Sequence, residues 1–295
     1  MTPPAWAAPA AVRLPDRRLH LQHGPIDLII EAHAPDANEI EAAYGQAITR
    51  FDDILGTLVS ELPWLRTPLG NDPPPLRGPV ARRMLGACWP HRGVFITPMA
   101  AVAGAVADEV LAAMVAGRAL TRAYVNNGGD IAVHLTPGES FVIGLADPDD
   151  TRLRGTLTLR HETPDRGIAT SGWRGRSQSF GIADAVTVVA RDGAAADAAA
   201  TLVANAVNVD HPSIRRAPAR TVRDDSDLGD RLVTIGVETL PDDAVEQALA
   251  AGVHAARAML VQGRIRAACL RLQGRTTAVD AETPTFAIQQ GDSPR

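Results

Sequence analysis

The stretch Tyr124-Val125-Asn126-Asn127-Gly128-Gly129-Asp130-Ile131-Ala132-Val133 sets apolar runs on both sides of a polar turn. Val, Ile and Tyr favour the pleated strand, and Asn and Gly tolerate the positive φ of a tight turn. Residues 124–135 therefore read as a strand interrupted by a turn. Adjacent glycines also remove Cβ atoms, so a ligand could approach the backbone amides. The flanking Asn and Asp side chains would bring donors and acceptors to the same place. On these residues alone, a structural turn and a binding loop both stand.

Upstream, residues 20–32 read as a strand region with Ile26, Leu28 and Ile30 on one side. Asp36 caps a helix, with Glu39 three residues on as in a capping box. Ile40, Tyr44, Ala47, Phe51, Leu55 and Leu58 continue at helical spacing, which gives one long buried face. Residues 62–79, rich in Pro and Gly, read as a loop or flap. Thr97-Pro98 opens a second helix to about Gly117, with Val102, Val106, Val110 and Met114 inward. Downstream, strands are expected at 141–145, 156–160 and 186–190, and an Ala-rich helix at 194–207. A strand at 232–237, a helix at 242–262 and a strand at 265–272 close the pattern. Without regular βαβ alternation this points to an α+β fold, helices packed on a mainly antiparallel sheet. Residues 1–18 are expected to be a flexible N-terminal arm, 19–273 a single domain and 274–295 a frayed tail.

The 295 residues carry a formal net charge of −5 and only 4% aromatics. A basic face and rings for stacking bases are therefore both lacking, which argues against a nucleic-acid partner. The nearest basic cluster, Arg215, Arg216, Arg220 and Arg223, runs into Asp224, Asp225 and Asp227 and reads as a solvated loop. Cys88 and Cys269 lack metal-ligand spacing and are expected to be buried free thiols. Residues 1–15 show no basic start followed by an apolar run, so neither a signal peptide nor a lipoprotein leader is expected. No membrane span is expected either, and the protein is placed in the cytoplasm. The Ala-rich helices leave room for a homodimer.

Two further constellations carry chemistry. Gly167-Ile168-Ala169-Thr170-Ser171-Gly172 reads as a small-residue loop whose Thr170, Ser171 and Gly172 could hydrogen-bond a phosphate or a ring carbonyl, or as a surface hairpin. Arg174 and Arg176 follow as candidate phosphate partners. Asp197 and Thr201 stand at i and i+4 in the Ala-rich helix, one turn apart on one face. Hard oxygens of this kind suit magnesium, although a solvated Asp near a helix start gives the same pattern. The eight histidines show no zinc-binding spacing.

In this order the segments resemble the ApbE family, the FAD:protein FMN transferases. The resemblance is carried by Pro98-Met99-Ala100-Ala101-Val102-Ala103-Gly104-Ala105-Val106-Ala107-Asp108, by Val125–Ile131, by Ile168–Gly172, by Val186–Ala190 and by the Asp197-x-x-x-Thr201 pair. It implies an ApbE-like, T-fold-related architecture and a site for FAD or FMN with Mg2+. By carry-over Asp197 and Thr201 become metal candidates. Asn126, Asn127, Gly128, Gly129, Asp130, Thr170, Ser171, Gly172, Arg174 and Arg176 become ligand candidates, joined by Ala103 and Asp108. The chain departs from the family between the Thr-Ser-Gly segment and the next strand. Where the family has a His followed by Ile-Asp-Pro, residues 175–185 have neither that His nor the proline turn. Asp184 is the residue there that could replace it as a base. The pattern is similar to the family's cytosolic branch without a lipoprotein leader. The expected function is binding of a flavin nucleotide or a similar phosphate-bearing, anionic metabolite. The alternatives are a non-catalytic flavin or metabolite carrier serving a partner redox protein, and a divergent FAD:protein FMN transferase.

Overall fold

The computed structural model describes residues 7–147, 150–224, 226–281 and 285–288. Asp225 of the charged loop and parts of the expected arm and tail lie outside the described residues. In chain order the elements are β1 (Ala10–Arg13), β2 (Leu19–His23), β3 (Ile26–His33), α1 (Ala37–Phe51), α2 (Ile54–Ser60), α3 (Leu62–Leu65), α4 (Pro79–Cys88), α5 (Val102–Val115), β4 (Arg122–Asn127) and β5 (Asp130–Leu135). There follow β6 (Ser140–Asp147), β7 (Asp150–Arg160), β8 (Gly167–Ser171), β9 (Ala185–Ala190), α6 (Gly193–Ala206), β10 (Ile214–Pro218), α7 (Ala219–Val222) and β11 (Leu232–Val237). Helix α8 (Asp242–Val261) and strands β12 (Ala267–Leu272), β13 (Arg275–Asp280) and β14 (Phe286–Ile288) complete the chain. Every described strand register is antiparallel, so the fold class is α+β.

The chain divides into two compact units. The first holds residues 1–140, 160–169 and 191–198. Its strands run in the order β1-β2-β3-β4-β5-β8. Alternation buries Leu28 and Ile30 of β3 and Ala123 and Val125 of β4 on one face. Helix α5 packs on β4 and β5 and against α1 and α4. The stretch Pro98–Val115 has a mean hydropathy of 1.6, long and apolar enough to cross a membrane, contrary to expectation. Half of it is buried inside the protein, as suits a core helix.

The second unit holds residues 141–159, 170–190 and 199–295. Strands β9, β12 and β13 lie side by side, with β10-β11 and β14-β7-β6 as smaller sheets. Helix α8 packs on β12 and β13, and Gly252 lets it close in: a Cβ there would lie 2.3 Å from Val207 Cγ2.

Several expectations change. Ala10–Arg13, in the expected arm, pairs with β2, and Arg275–Asp280, in the expected tail, pairs with β12. Backbone hydrogen bonding, which side-chain pattern does not reveal at a short edge, organises both. The long first helix breaks at Asp52-Asp53 into α1 and α2. Residues 62–79 contain the short α3, and α4 starts at Pro79, a residue suited to a first helical turn. Gly167–Ser171 is strand β8, not a loop. Without a Cβ, Gly167 approaches Asp192, whose backbone carbon would sit 1.9 Å from one.

Candidate functional site

Asn127 and Asp130 pair across the β4–β5 hairpin, leaving Gly128 and Gly129 as a two-residue loop at φ 66° and 110°. This is the conformation that glycine accepts most readily. Asn126 Oδ1 accepts the Gly129 N–H at 2.8 Å, which fixes the loop from inside. Strand alternation then turns Asn127 to the buried face, where it is 5% exposed. Its Nδ2 donates to the Ala103 carbonyl at 3.1 Å, one residue into α5.

The same first turn of α5 is held a second time. Asp197 Oδ2, from α6, accepts the Ala103 and Gly104 N–H groups at 3.1 Å each. Three segments that the sequence singled out separately thus meet at Ala103. The Asp197 carboxylate takes up amides that a helix start leaves without intrahelical partners. Asp197 keeps a partly exposed edge, yet crowding by protein is the largest influence on its carboxyl. That burial pushes its pKa up, the two N–H groups pull it down, and the Asp108 charge pushes it up again.

Asp108, a ligand candidate by carry-over, caps a helix start. Its Oδ1 accepts the Gly193 N–H and its Oδ2 the Ala194 N–H, both at 2.8 Å, at the start of α6. Burial raises its pKa to about 6, with the two backbone bonds opposing and Asp192 reinforcing the shift. Gly104 and Gly193 have no side chains, which lets the two helix starts touch. A Cβ on Gly104 would lie 2.1 Å from the Gly193 carbonyl oxygen.

The donor set tests the fit of magnesium. Among the described residues no three His, Cys, Asp or Glu side chains gather into a metal cage. Magnesium commonly takes one or two carboxylates, keeps waters and binds phosphate oxygens. Asp197 supplies one carboxylate, and Thr201 lies one turn along the same helix. These donors fit a cation arriving with a phosphate ligand, not one held by protein alone.

In the second unit, the Thr170 Oγ1 lies 2.9 Å from the Thr187 Oγ1, and Ser171 is part-buried. Gly172 is buried where a Cβ would meet the Asp184 carbonyl oxygen at 2.5 Å. Arg174 stacks over the Trp173 ring at 4.9 Å and donates from Nε to Asp184 Oδ1 at 3.0 Å. Asp184 Oδ2 accepts the Gln273 N–H at 2.5 Å. Both oxygens of the one candidate base are therefore engaged. Arg174, Thr239, Gln273 and Arg275 line a cleft of about 430 Å³ at the first turn of α8. Arg176 is exposed. A larger groove, between α1 and α5 of the first unit, contains none of the candidate residues.

A family model described as AbpE bacteria matches residues 11–278. A UPF0280 protein of Methanosarcina barkeri is 35% identical over 190 residues, covering 64% of this chain and 72% of that protein. A UPF0280 protein of Methanothrix thermoacetophila is 38% identical over 144 residues, 48% of this chain. The chain spans only 56% of the length of that relative. Among solved structures, the apo form of the flavinyl transferase ApbE of Pseudomonas stutzeri shares 14% identity at a TM-score of 0.35, over 67% of this chain and 84% of that one. The ApbE protein of Thermotoga maritima shares 19% at 0.31, over 72% and 78%. Superposition at that level is loose, and the fold class stands on the chain's own strands and helices.

Proposed function

The chain belongs to the AbpE bacteria family, and from that membership we propose that it binds a flavin nucleotide, FAD or FMN, or a similar phosphate-bearing metabolite. The observation that carries this reading is the convergence on Ala103. The start of α5, the Asn126–Asp130 hairpin and Asp197 of α6 lie far apart in sequence and are joined there by three hydrogen bonds. All three segments are among those that carry the family resemblance. Asn126, Asn127, Gly128, Gly129 and Asp130 are the proposed ligand contacts of the first unit. Thr170, Ser171, Gly172, Arg174 and Arg176 of the second unit are candidates by the family resemblance alone. Asp197 and Thr201 are proposed to hold Mg2+, which would neutralise ligand phosphate charge when bound.

Binding without transfer is the favoured form of this reading. The family's His is missing between Thr170-Ser171-Gly172 and β9, and Asp184, the residue there that could replace it as a base, is tied to Arg174 and to the Gln273 N–H. A carrier that presents its nucleotide to a partner protein requires no such base. The two buried free thiols, Cys88 and Cys269, are in keeping with a reducing, cytoplasmic setting. Calorimetric titration with FAD and with FMN, each with Mg2+ and with EDTA, tests binding. Incubation with FAD, Mg2+ and a threonine-containing acceptor peptide tests transfer. Saturable binding with no labelled peptide is expected. A flavinylated peptide would restore the divergent transferase, and no binding of either nucleotide would remove the flavin reading.

A further inference from the structure

We propose that Asp108 is a positioning residue: from α5 it fixes the first turn of α6, and α6 in turn carries Asp197 to the first turn of α5. The proposal rests on the reading above only in taking the α5 start as part of the ligand site.

The two helix starts are built alike. In α5, Asp108 stands four residues after Gly104; in α6, Asp197 stands four residues after Gly193. The two glycines touch, and each aspartate caps the helix of the other. The bonds close into a ring: Asp108 to Gly193 and Ala194, along one turn of α6 to Asp197, across to Ala103 and Gly104, and along one turn of α5 back to Asp108. A Cβ on Gly193 would lie 3.0 Å from both Asp108 Oδ1 and the Gly104 carbonyl oxygen, so the ring leaves no slack there.

The aspartates differ in how they are used. Asp108 spends one oxygen on each of two N–H groups at 2.8 Å. Asp197 takes both of its N–H groups on Oδ2 at 3.1 Å, which leaves Oδ1 outside these bonds. Asp108 is therefore the fixed member and Asp197 the member with an oxygen left for a ligand or its cation. Helix α6 also has a cap of its own, since Asp192 Oδ1 accepts the Ala195 N–H at 2.8 Å. What Asp108 adds is the tie to α5.

That redundancy supplies the control. Asp108→Ala and Asp192→Ala each remove a cap from the same helix end, but only the first cuts the tie to α5. The readouts are amide hydrogen exchange at Ala103 and Gly104 and the FMN dissociation constant, both well below the melting temperature. Asp108→Ala is expected to speed exchange at Ala103 and Gly104 and to weaken FMN about tenfold, the scale of one charge-assisted hydrogen bond. Asp192→Ala is expected to leave both within about twofold, whatever it does to the melting temperature. Should Asp108→Ala not fold, Asp108→Asn keeps one acceptor and should move both readouts in the same direction by less. Equal effects of the Asp108 and Asp192 variants, or an Asp108 variant with unchanged exchange at Ala103 and Gly104, would overturn the proposal. If the unaltered protein binds no FMN, the ligand reading fails alone, and the exchange data still decide the role of Asp108.

Discussion

Gly104 and Gly193 meet so closely that a methyl group on the first would lie 2.1 Å from the carbonyl oxygen of the second. Two helix starts can share one place only because neither residue has a side chain. Gly104→Ala must push α5 and α6 apart and strain both aspartate caps, at a cost of about 3 kcal/mol. Gly45→Ala, on an exposed turn of α1 with nothing within 4 Å of the new Cβ, should instead stabilise by about 0.5–1 kcal/mol. Urea unfolding of the two variants checks both signs.

Asn127 is distinguished from an ordinary turn residue by the atom it uses. Its amide nitrogen donates to the Ala103 carbonyl in a nearly closed environment. Asn127→Ala loses that bond, at about 1 kcal/mol. Asn127→Asp keeps the shape but sets a carboxylate oxygen against a carbonyl oxygen, so it should cost more than alanine does. Thermal unfolding at neutral pH orders the two, and an aspartate variant as stable as the original would remove this contact from the site.

Asp197 offers a similar comparison. Asp197→Ala leaves the Ala103 and Gly104 N–H groups without their acceptor and should destabilise by about 1–3 kcal/mol. Asp197→Asn retains an acceptor oxygen and relieves a crowded carboxyl, so its cost should be below about 1 kcal/mol. If Mg2+ reaches Asp197 together with nucleotide phosphate, the Asn variant should nevertheless lose any Mg2+ enhancement of FMN binding in calorimetry.

Much of this arrangement could be read in the sequence, and the unread part has a common cause. The Asp36 cap, the strand–turn–strand at 124–135 and helix α8 are local patterns, written within one or two turns of chain. The order of the family segments also marked the start of α5, the hairpin and Asp197 as belonging together. The reciprocal caps could not be read, because Asp108 finds its partners 85 and 86 residues away. A carboxylate's spacing within its own helix says nothing about which helix end it will meet. Strand β8 escaped the sequence for the same reason. Thr170-Ser171-Gly172 looks like a loop, and only pairing of Ile168 with Ile131 of β5 makes the segment extended.

Asp108 contributes to the pH dependence of stability, in the same direction as the raised Asp197 carboxyl. Its pKa in the folded protein, about 6, lies above the ordinary 3.8, so the folded chain keeps a proton that the unfolded chain has released. The contribution of this group is therefore fullest below about pH 4, falls as pH rises to about 6, and is flat above that. His134, whose pKa burial lowers, shifts stability the other way, so the useful quantity is a difference between variants. Urea midpoints of the original protein relative to Asp108→Asn should decline between about pH 4 and pH 6. A relative rise over that interval would contradict the buried-carboxyl assignment.

Arg174 should act on ligand affinity more than on stability. It lies at the edge of the cleft by α8 and pairs with Asp184 at the surface, a kind of pair that contributes little to folding. Arg174→Ala is expected to weaken FMN about tenfold and to flatten the salt dependence of binding, with a melting temperature within a few degrees of the original. An unchanged dissociation constant would remove Arg174 from the proposed contacts.

Native mass spectrometry of the purified protein, before and after addition of FAD or FMN with and without Mg2+, tests the central claim most directly. One flavin nucleotide per chain is expected, with occupancy reduced by Asn127→Asp and by Asp108→Ala. A spectrum with no nucleotide on the chain as purified, and none after addition of either flavin, would contradict it.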